Sequence, residues 1–388
     1  MRDEHDDITG GAFRPAVLLA LLAAAAPGAR AAGAHGHADT ARRLPALSAE
    51  YLPLHRFREA ITWAAHIDLE TVADLGGGLE REATGDVAAQ AGFALDTGLA
   101  GWWPGGLLTA TVLGVGSGRP SADAVGDIQG VSNLATASRV RLYELNYRQR
   151  LGRSADLRAG LMDLNYHFVV TGVASTLINS SFGIAPTLTA NMPVGTYPHP
   201  GFGAMAAFHR GGAALRLGVF QGDPGRPETF FSRGYLALAE GGWHSRGGAV
   251  GAKLGVWRYA AGRSGPGSTD TGTYGILELR RRLARGGRVG AFLQYGTSSR
   301  GTDPVPRYLG LGMRWKGMVP GRPDDLFSFG AARAWVRGAR AETSYEVTYA
   351  ARLNHYFYLQ PDLQYVVNPG GNLPDAWVGI LRLHVEFF

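Results

Sequence analysis

Side chains able to exchange hydrogen bonds with a polar molecule recur at every second position along several stretches of this chain. Glu144, Asn146 and Arg148 alternate with Leu145 and Tyr147, and Glu346, Arg352 and Asn354 alternate with Val347, Tyr349, Ala351 and Leu353. Asp362 and Gln364 flank Leu363, Arg382 lies between Leu381 and Leu383, and Asp163, Asn165 and Gln294 share the inferred parity. Carboxylates accept hydrogen bonds, guanidinium forks donate them, and side-chain amides do both. That chemistry is reversible polar contact and makes or breaks no bond. Trp257 adds a flat apolar face that could serve as a stacking platform.

Signs of catalysis are missing by comparison. The chain has no cysteine, so it has no thiol nucleophile, no disulfide framework and no cysteine-ligated metal. There is no G-x-S-x-G elbow and no P-loop. Of the eleven histidines only His35 and His37 lie close together, in a stretch that reads as a processed tail, and Pro198-His199-Pro200 reads as a loop. Asp324-Asp325 and the Glu80/Glu82 pair sit beside glycine or proline and read as turns. Neither a metal nor a cofactor is expected, and the chain is not expected to be an enzyme.

Positioning these side chains requires strands. Tyr143, Leu145 and Tyr147 oppose Glu144, Asn146 and Arg148; Leu359, Leu363, Tyr365 and Val367 oppose Gln360, Asp362, Gln364 and Asn368; Leu381, Leu383, Val385 and Phe387 oppose Arg382, His384 and Glu386. One apolar and one polar face on every strand mark a sheet between unlike media. A soluble sandwich gives the same alternation. Three features favour a membrane barrel instead: aromatics at strand ends (Trp102-Trp103, Trp243, Trp257-Tyr259, Trp335, Tyr356-Phe357-Tyr358), long charged residues on the polar face, and a closing strand that ends Phe387-Phe388. On this reading each candidate above lines a wet lumen. The plainer reading of each is a generic wall position or a rung of an arginine–carboxylate ladder, and Trp257 could equally belong to an aromatic girdle.

Composition agrees. In 388 residues there are 57 glycines, 15 Tyr, 16 Phe and 8 Trp, with only 18% charged residues, which suits many short strands and turns. The formal charge is +6, and only Lys253 and Lys316 of the 38 cations are lysine. Apart from Arg280-Arg281-Arg282 the arginines are scattered, so nothing forms the patch a nucleic-acid binder needs. Near the N-terminus Arg14, the apolar run Ala16 to Ala26 and Ala29-Arg30-Ala31 read as an export signal over residues 1–31. Residues 32–61 read as a short segment with helical spacing (Leu47, Leu54, Phe57, Ile61), and residues 62–388 as the barrel. At about 20 to 24 residues per strand and its connection, the expected architecture is an all-β transmembrane antiparallel barrel, for which sixteen strands fit the length comfortably and fourteen or eighteen stay open. Loop candidates are Gly116 to Gly126, Met192 to Gly201, Gly262 to Gly272 and Ser298 to Arg307.

A set of motifs then follows in a recognisable order: Gly126-Asp-Ile-Gln-Gly-Val-Ser-Asn133, Arg141-Leu-Tyr-Glu144, Gly160-Leu-Met-Asp-Leu-Asn165, Ile178-Asn-Ser-Ser-Phe-Gly183, Val219-Phe-Gln-Gly-Asp-Pro-Gly225 with Glu228-Thr229, Gly321-Arg-Pro-Asp324, Glu342-Thr-Ser-Tyr-Glu346, and Gln360 through Gly370. Together they resemble the carbohydrate-selective porin family (OprB type) from about Gly76 to the C-terminus. The resemblance implies a sixteen-stranded channel in the Gram-negative outer membrane that admits small sugars by passive diffusion. It also implies outer-membrane lipid and the barrel-assembly machinery as partners, no nucleic acid, and room for a homo-oligomer. The open alternative is a general or anion-favouring porin without sugar preference; a barrel enzyme acting on lipid or polysaccharide ranks third.

Overall fold

The computed structural model describes residues 59–262, 269–283 and 287–387. The export-signal reading, and the helical reading up to residue 58, lie outside the described residues. Sixteen strands follow in order: β1 (Ile61–Gly76), β2 (Ala83–Asp96), β3 (Gly106–Gly116), β4 (Arg139–Leu151), β5 (Ala155–Met162), β6 (Gly201–Arg210), β7 (Ala213–Gln221) and β8 (Gly234–His244). They continue with β9 (Val250–Ala261), β10 (Asp270–Arg282), β11 (Arg288–Ser298), β12 (Arg307–Lys316), β13 (Leu326–Trp335), β14 (Glu342–Arg352), β15 (Phe357–Val367) and β16 (Ala376–Glu386). Each strand pairs with the next, and β16 pairs with β1, so the sheet has no free edge. The seam sets Asp68 opposite His384 and Glu70 opposite Arg382.

Alternation decides what each face can touch. Leu69, Leu145, Leu157, Leu217, Leu254, Leu293, Val347, Leu363 and Leu381 are exposed on the outside, while their sequence neighbours turn inward. So many large apolar side chains facing out exceed what a water-facing monomer tolerates, and they fit a hydrocarbon boundary. Trp63, Trp102, Trp103 and Trp243 are exposed at one rim and Trp377 near the other, as girdles are.

The two rims differ because the connections differ in length. Tight turns such as 152–154 and 211–212 close one rim, where Gly211 (φ +59°) supplies the left-handed conformation of a two-residue hairpin. The opposite rim carries the long connections, of which 117–138 and 163–200 fold into the barrel. Small residues on the inner wall make room for them. A Cβ on Gly218 would stand 2.8 Å from Phe168, and one on Gly330 would stand 2.5 Å from Phe182. The barrel core is therefore two strips of chain packed on the inside of a sheet, with Phe168, Leu188, Phe220, Trp257 and Tyr274 in one cluster and Phe182, Phe292 and Tyr308 in another.

Two expectations about faces need correction. Tyr143 is buried on the inside, although alternation with Leu145 assigns it to the apolar face. The register shifts between Thr111 and Val112, which leaves Tyr143 as the extra residue of a bulge and lets it turn inward. Trp257, Tyr259 and Tyr358 are not girdle residues, because each is at least 92% buried on the inner wall.

Candidate functional site

The inner wall of the barrel and the two strips folded against it make the site. Wall carboxylates hold the strips by accepting their backbone N–H groups. Glu342 of β14 takes Ile128 N (2.9 Å) and Gln129 N (3.0 Å) from 117–138. Glu346, four residues further along the same strand, takes Ile178 N and Asn179 N (3.0 Å) from 163–200. Glu240 of β8 accepts from Val169 N (3.0 Å) and Glu278 of β10 from Val173 N (2.6 Å). A carboxyl group with several lone pairs suits paired loop amides that no strand can satisfy. Donors on the wall complete the docking: Lys253 to Val170 O, Arg314 to Gly172 O (2.9 Å) and Gln360 to Thr176 O (2.7 Å).

This arrangement redistributes the residues singled out from the sequence. Glu346, Asp362 and Gln364 lie together on β14 and β15, but beneath a strip: Gln364 accepts from Asn179 Nδ2 (3.2 Å) and donates to Val131 O (2.8 Å). Gln294 is likewise occupied, donating to Thr171 Oγ1 (2.7 Å) and Phe182 O (2.9 Å). Asp163 and Asn165 leave the wall altogether, since β5 ends at Met162. Asp163 caps the turn that follows, accepting from Asn165 N (2.7 Å), Tyr197 N (3.2 Å) and the Tyr143 hydroxyl, while Asn165 ties Phe168 O to Gly183 O. Trp257 faces inward but is covered by the 163–200 strip, so it offers no stacking face. Asn354 sits in the 353–356 turn and caps it, accepting from Tyr356 N (2.8 Å) and Phe357 N (3.1 Å). Arg352, at the turn-side end of β14, pairs with Asp324 at 3.6 Å and lies over Tyr358.

Glu144, Asn146 and Arg148 share the inner face of β4. Asn146 accepts from Arg158 of β5, and Arg148 stands opposite Arg158 across the two strands. Arg382 donates to Glu70 (2.6 Å) and to Asn133 (2.9 Å), so it joins the barrel seam to the 117–138 strip. Asp68, Glu70 and Asp86 were missed from the sequence, although the alternation of His66, Asp68 and Glu70 with Ile67 and Leu69 carries the same signal. Tyr197 was missed too. It packs edge-on to Tyr143, as Tyr166 also does.

Electrostatics at the inner edge of the strips follow from these neighbours. Burial, then Asp68, Asp86 and Glu70, push the Tyr197 hydroxyl up, while Arg382 acts in the opposite sense. Burial and then Arg158, Arg216 and Arg148 hold the His167 imidazole well below its usual value, so it is neutral. Carboxylates of β1 and β2 thus border one side of this edge and arginines of β4, β5 and β7 the other.

A closed sixteen-strand barrel, apolar outside and polar within, with long connections folded into its lumen from one rim, is the architecture of an outer-membrane diffusion channel. The carbohydrate-selective porin, OprB family, matches residues 81–387, and the chain belongs to that family. Among solved structures, Pseudomonas putida OprB at high pH superposes with a TM-score of 0.74 at 18% identity, covering 84% of this chain and 94% of that chain. The same protein at low pH gives 0.59 at 15% identity, covering 84% and 93%. No curated protein sequence matches the chain. The chain is therefore a carbohydrate-selective porin of the Gram-negative outer membrane, and sugars are its substrates.

Proposed function

We propose that a sugar crosses the lumen past the inner edge of the folded strips, carrying Tyr166, His167 and Tyr197, and past Arg148 of β4, while Arg382, Asp68, Glu70, Asp86, Glu144, Asn146 and Arg158 form the buried polar wall behind that path. The observation that carries this reading is the docking of both strips on inner-wall side chains, by Glu342, Glu346, Glu240 and Glu278 and, at the seam, by Glu70 and Arg382. A sugar entering lipid loses many hydrogen bonds at several kcal/mol in all. Here guanidinium and hydroxyl groups exchange hydrogen bonds with its oxygens, and tyrosine rings pack on its C–H faces. Each contact is modest, and release stays fast. The protein acts as a passive channel with no catalytic step and no cofactor. Contact with outer-membrane lipid through the leucine-rich outer wall, and recognition of β16 by the assembly machinery, belong to the same reading, as does room for a homo-oligomer.

A second reading, an anion-favouring pore without sugar preference, is favoured by one observation. Arg216, Arg280, Arg314, Lys316 and Arg352 all face inward in the turn-side half of the barrel. Proteoliposome swelling in a panel of mono- and disaccharides, set beside reversal potentials in a salt gradient, separates the two. Swelling that tracks solute size alone, with strong anion preference, favours the second.

A further inference from the structure

The loop-bearing mouth holds a cluster that neutral-sugar passage does not use. Arg139 and Arg141 are the first and third residues of β4, and they alternate with the exposed Val140 and Leu142. Their neighbours across β3 are Val115 and Leu113, which offer no side-chain acceptor. Both guanidiniums meet on one imidazole in the returning limb of 163–200: Arg139 Nη1 lies 2.7 Å from His199 Nε2, and Arg141 Nη1 lies 2.9 Å from His199 Nδ1. Arg141 also donates to Pro198 O (2.8 Å), and Arg139 Nε donates to Ala137 O (3.0 Å). Among the described residues neither guanidinium is ion-paired with a carboxylate. Asp223, the acid that acts on His199, is itself paired with Arg233 at 2.7 Å, and Glu228 borders the recess beside Arg141 without bonding to it.

The donor count does not balance. A guanidinium has five N–H groups and no acceptor, and a neutral imidazole has one lone-pair nitrogen and one N–H. Whichever tautomer forms, one of the two short contacts sets N–H against N–H. Protonation would make both contacts repulsive, and burial followed by Arg139 and Arg141 holds His199 down to about 4, so the ring is neutral near pH 7. Three donor groups therefore converge where one ring nitrogen, Pro198 O and Ala137 O are the acceptors. An oxygen anion would resolve the mismatch, since its lone pairs can accept from both forks and from the ring N–H.

We propose that Arg139, Arg141 and His199 form a recognition site for the oxyanion of a small solute, the carboxylate of a sugar acid or a phosphate group, at the outer mouth of the channel. The proposal rests on the sugar-pore reading and extends its substrates from neutral to acidic sugars. The test uses the full-length protein in planar bilayers, with gluconate, inorganic phosphate or glucose added on the loop side of a potassium chloride current. Gluconate should interrupt the wild-type current, and R139Q/R141Q should raise its half-blocking concentration about ten-fold or more. R139K/R141K, which keeps both charges, should recover part of that loss. Block by phosphate as strong as by gluconate assigns the site to the oxyanion alone; block by gluconate only assigns it to the sugar acid. Equal gluconate block in wild type and R139Q/R141Q overturns the proposal, and so does R139K/R141K as weak as R139Q/R141Q, which marks a mere clamp on the loop. Glucose-driven swelling of wild-type proteoliposomes is read separately: its absence overturns the sugar-pore reading while leaving the gluconate comparison meaningful.

Discussion

Replacing Glu346 isolates the device that shapes the lumen. Its carboxylate is fully buried and accepts from the amides of Ile178 and Asn179. Leaving a buried amide donor without its acceptor costs about 1–3 kcal/mol, so orphaning two costs roughly 2–6 kcal/mol. A value of about 3 kcal/mol raises the opening equilibrium of the 178–179 region roughly a hundred-fold. Glu346→Gln keeps one acceptor oxygen and should raise it only about ten-fold, from the loss of one bond. The assay is hydrogen exchange at Ile178 and Asn179 in the detergent-solubilised barrel, with single-channel conductance as a second readout. Exchange should accelerate in the order Gln then Ala, and the conductance should rise and become noisier. The ladder hydrogen bonds of β14 to β13 and β15 do not involve this side chain, so barrel melting should move little. Wild-type exchange at both amides in Glu346→Ala would refute the claim that wall carboxylates hold the strip.

Three further outcomes follow. Arg382→Met leaves the buried Glu70 carboxylate without its cation, at a cost of about 3–5 kcal/mol; the heat-modifiable gel shift should occur at lower temperature, and Glu70→Gln in the same chain should restore most of the loss. Gly330→Val would drive a side chain into Phe182 and Leu177, an overpacking penalty of about 1–3 kcal/mol, seen as faster proteolysis within 174–182. Burial pushes the Asp127 carboxyl in 117–138 up from 3.8 to about 6. The docked strip therefore prefers the proton more than the undocked strip does. Docking should weaken as pH rises from about 4 through about 6, which exchange protection of 117–138, corrected for intrinsic rates, measures; Asp127→Asn should reduce the trend.

What could be read from the sequence was whatever repeats locally. The two faces of β4, β14, β15 and β16 follow from period-2 alternation, and length put the count near sixteen, because each strand meets lipid on one side and water on the other. The bulge at Tyr143 escaped because one extra residue inverts parity without altering composition. The fate of Glu346, Gln294 and Gln364 escaped for a different reason. They are inward-facing polar residues, as read, but their partners lie more than a hundred residues away in strips whose inward fold has no local signature. Gln294 and a residue facing open water look alike in sequence. Trp257 misled in the same way, since a lumen aromatic and a covered one differ only in what folds over them.

The central claim is that this barrel, with both strips docked, still passes small sugars. Liposomes reconstituted with the full-length protein and transferred to iso-osmotic glucose or a trisaccharide test it directly. Swelling in glucose well above protein-free liposomes, falling steeply for the trisaccharide, is the predicted result; glucose swelling no faster than in protein-free liposomes would contradict it.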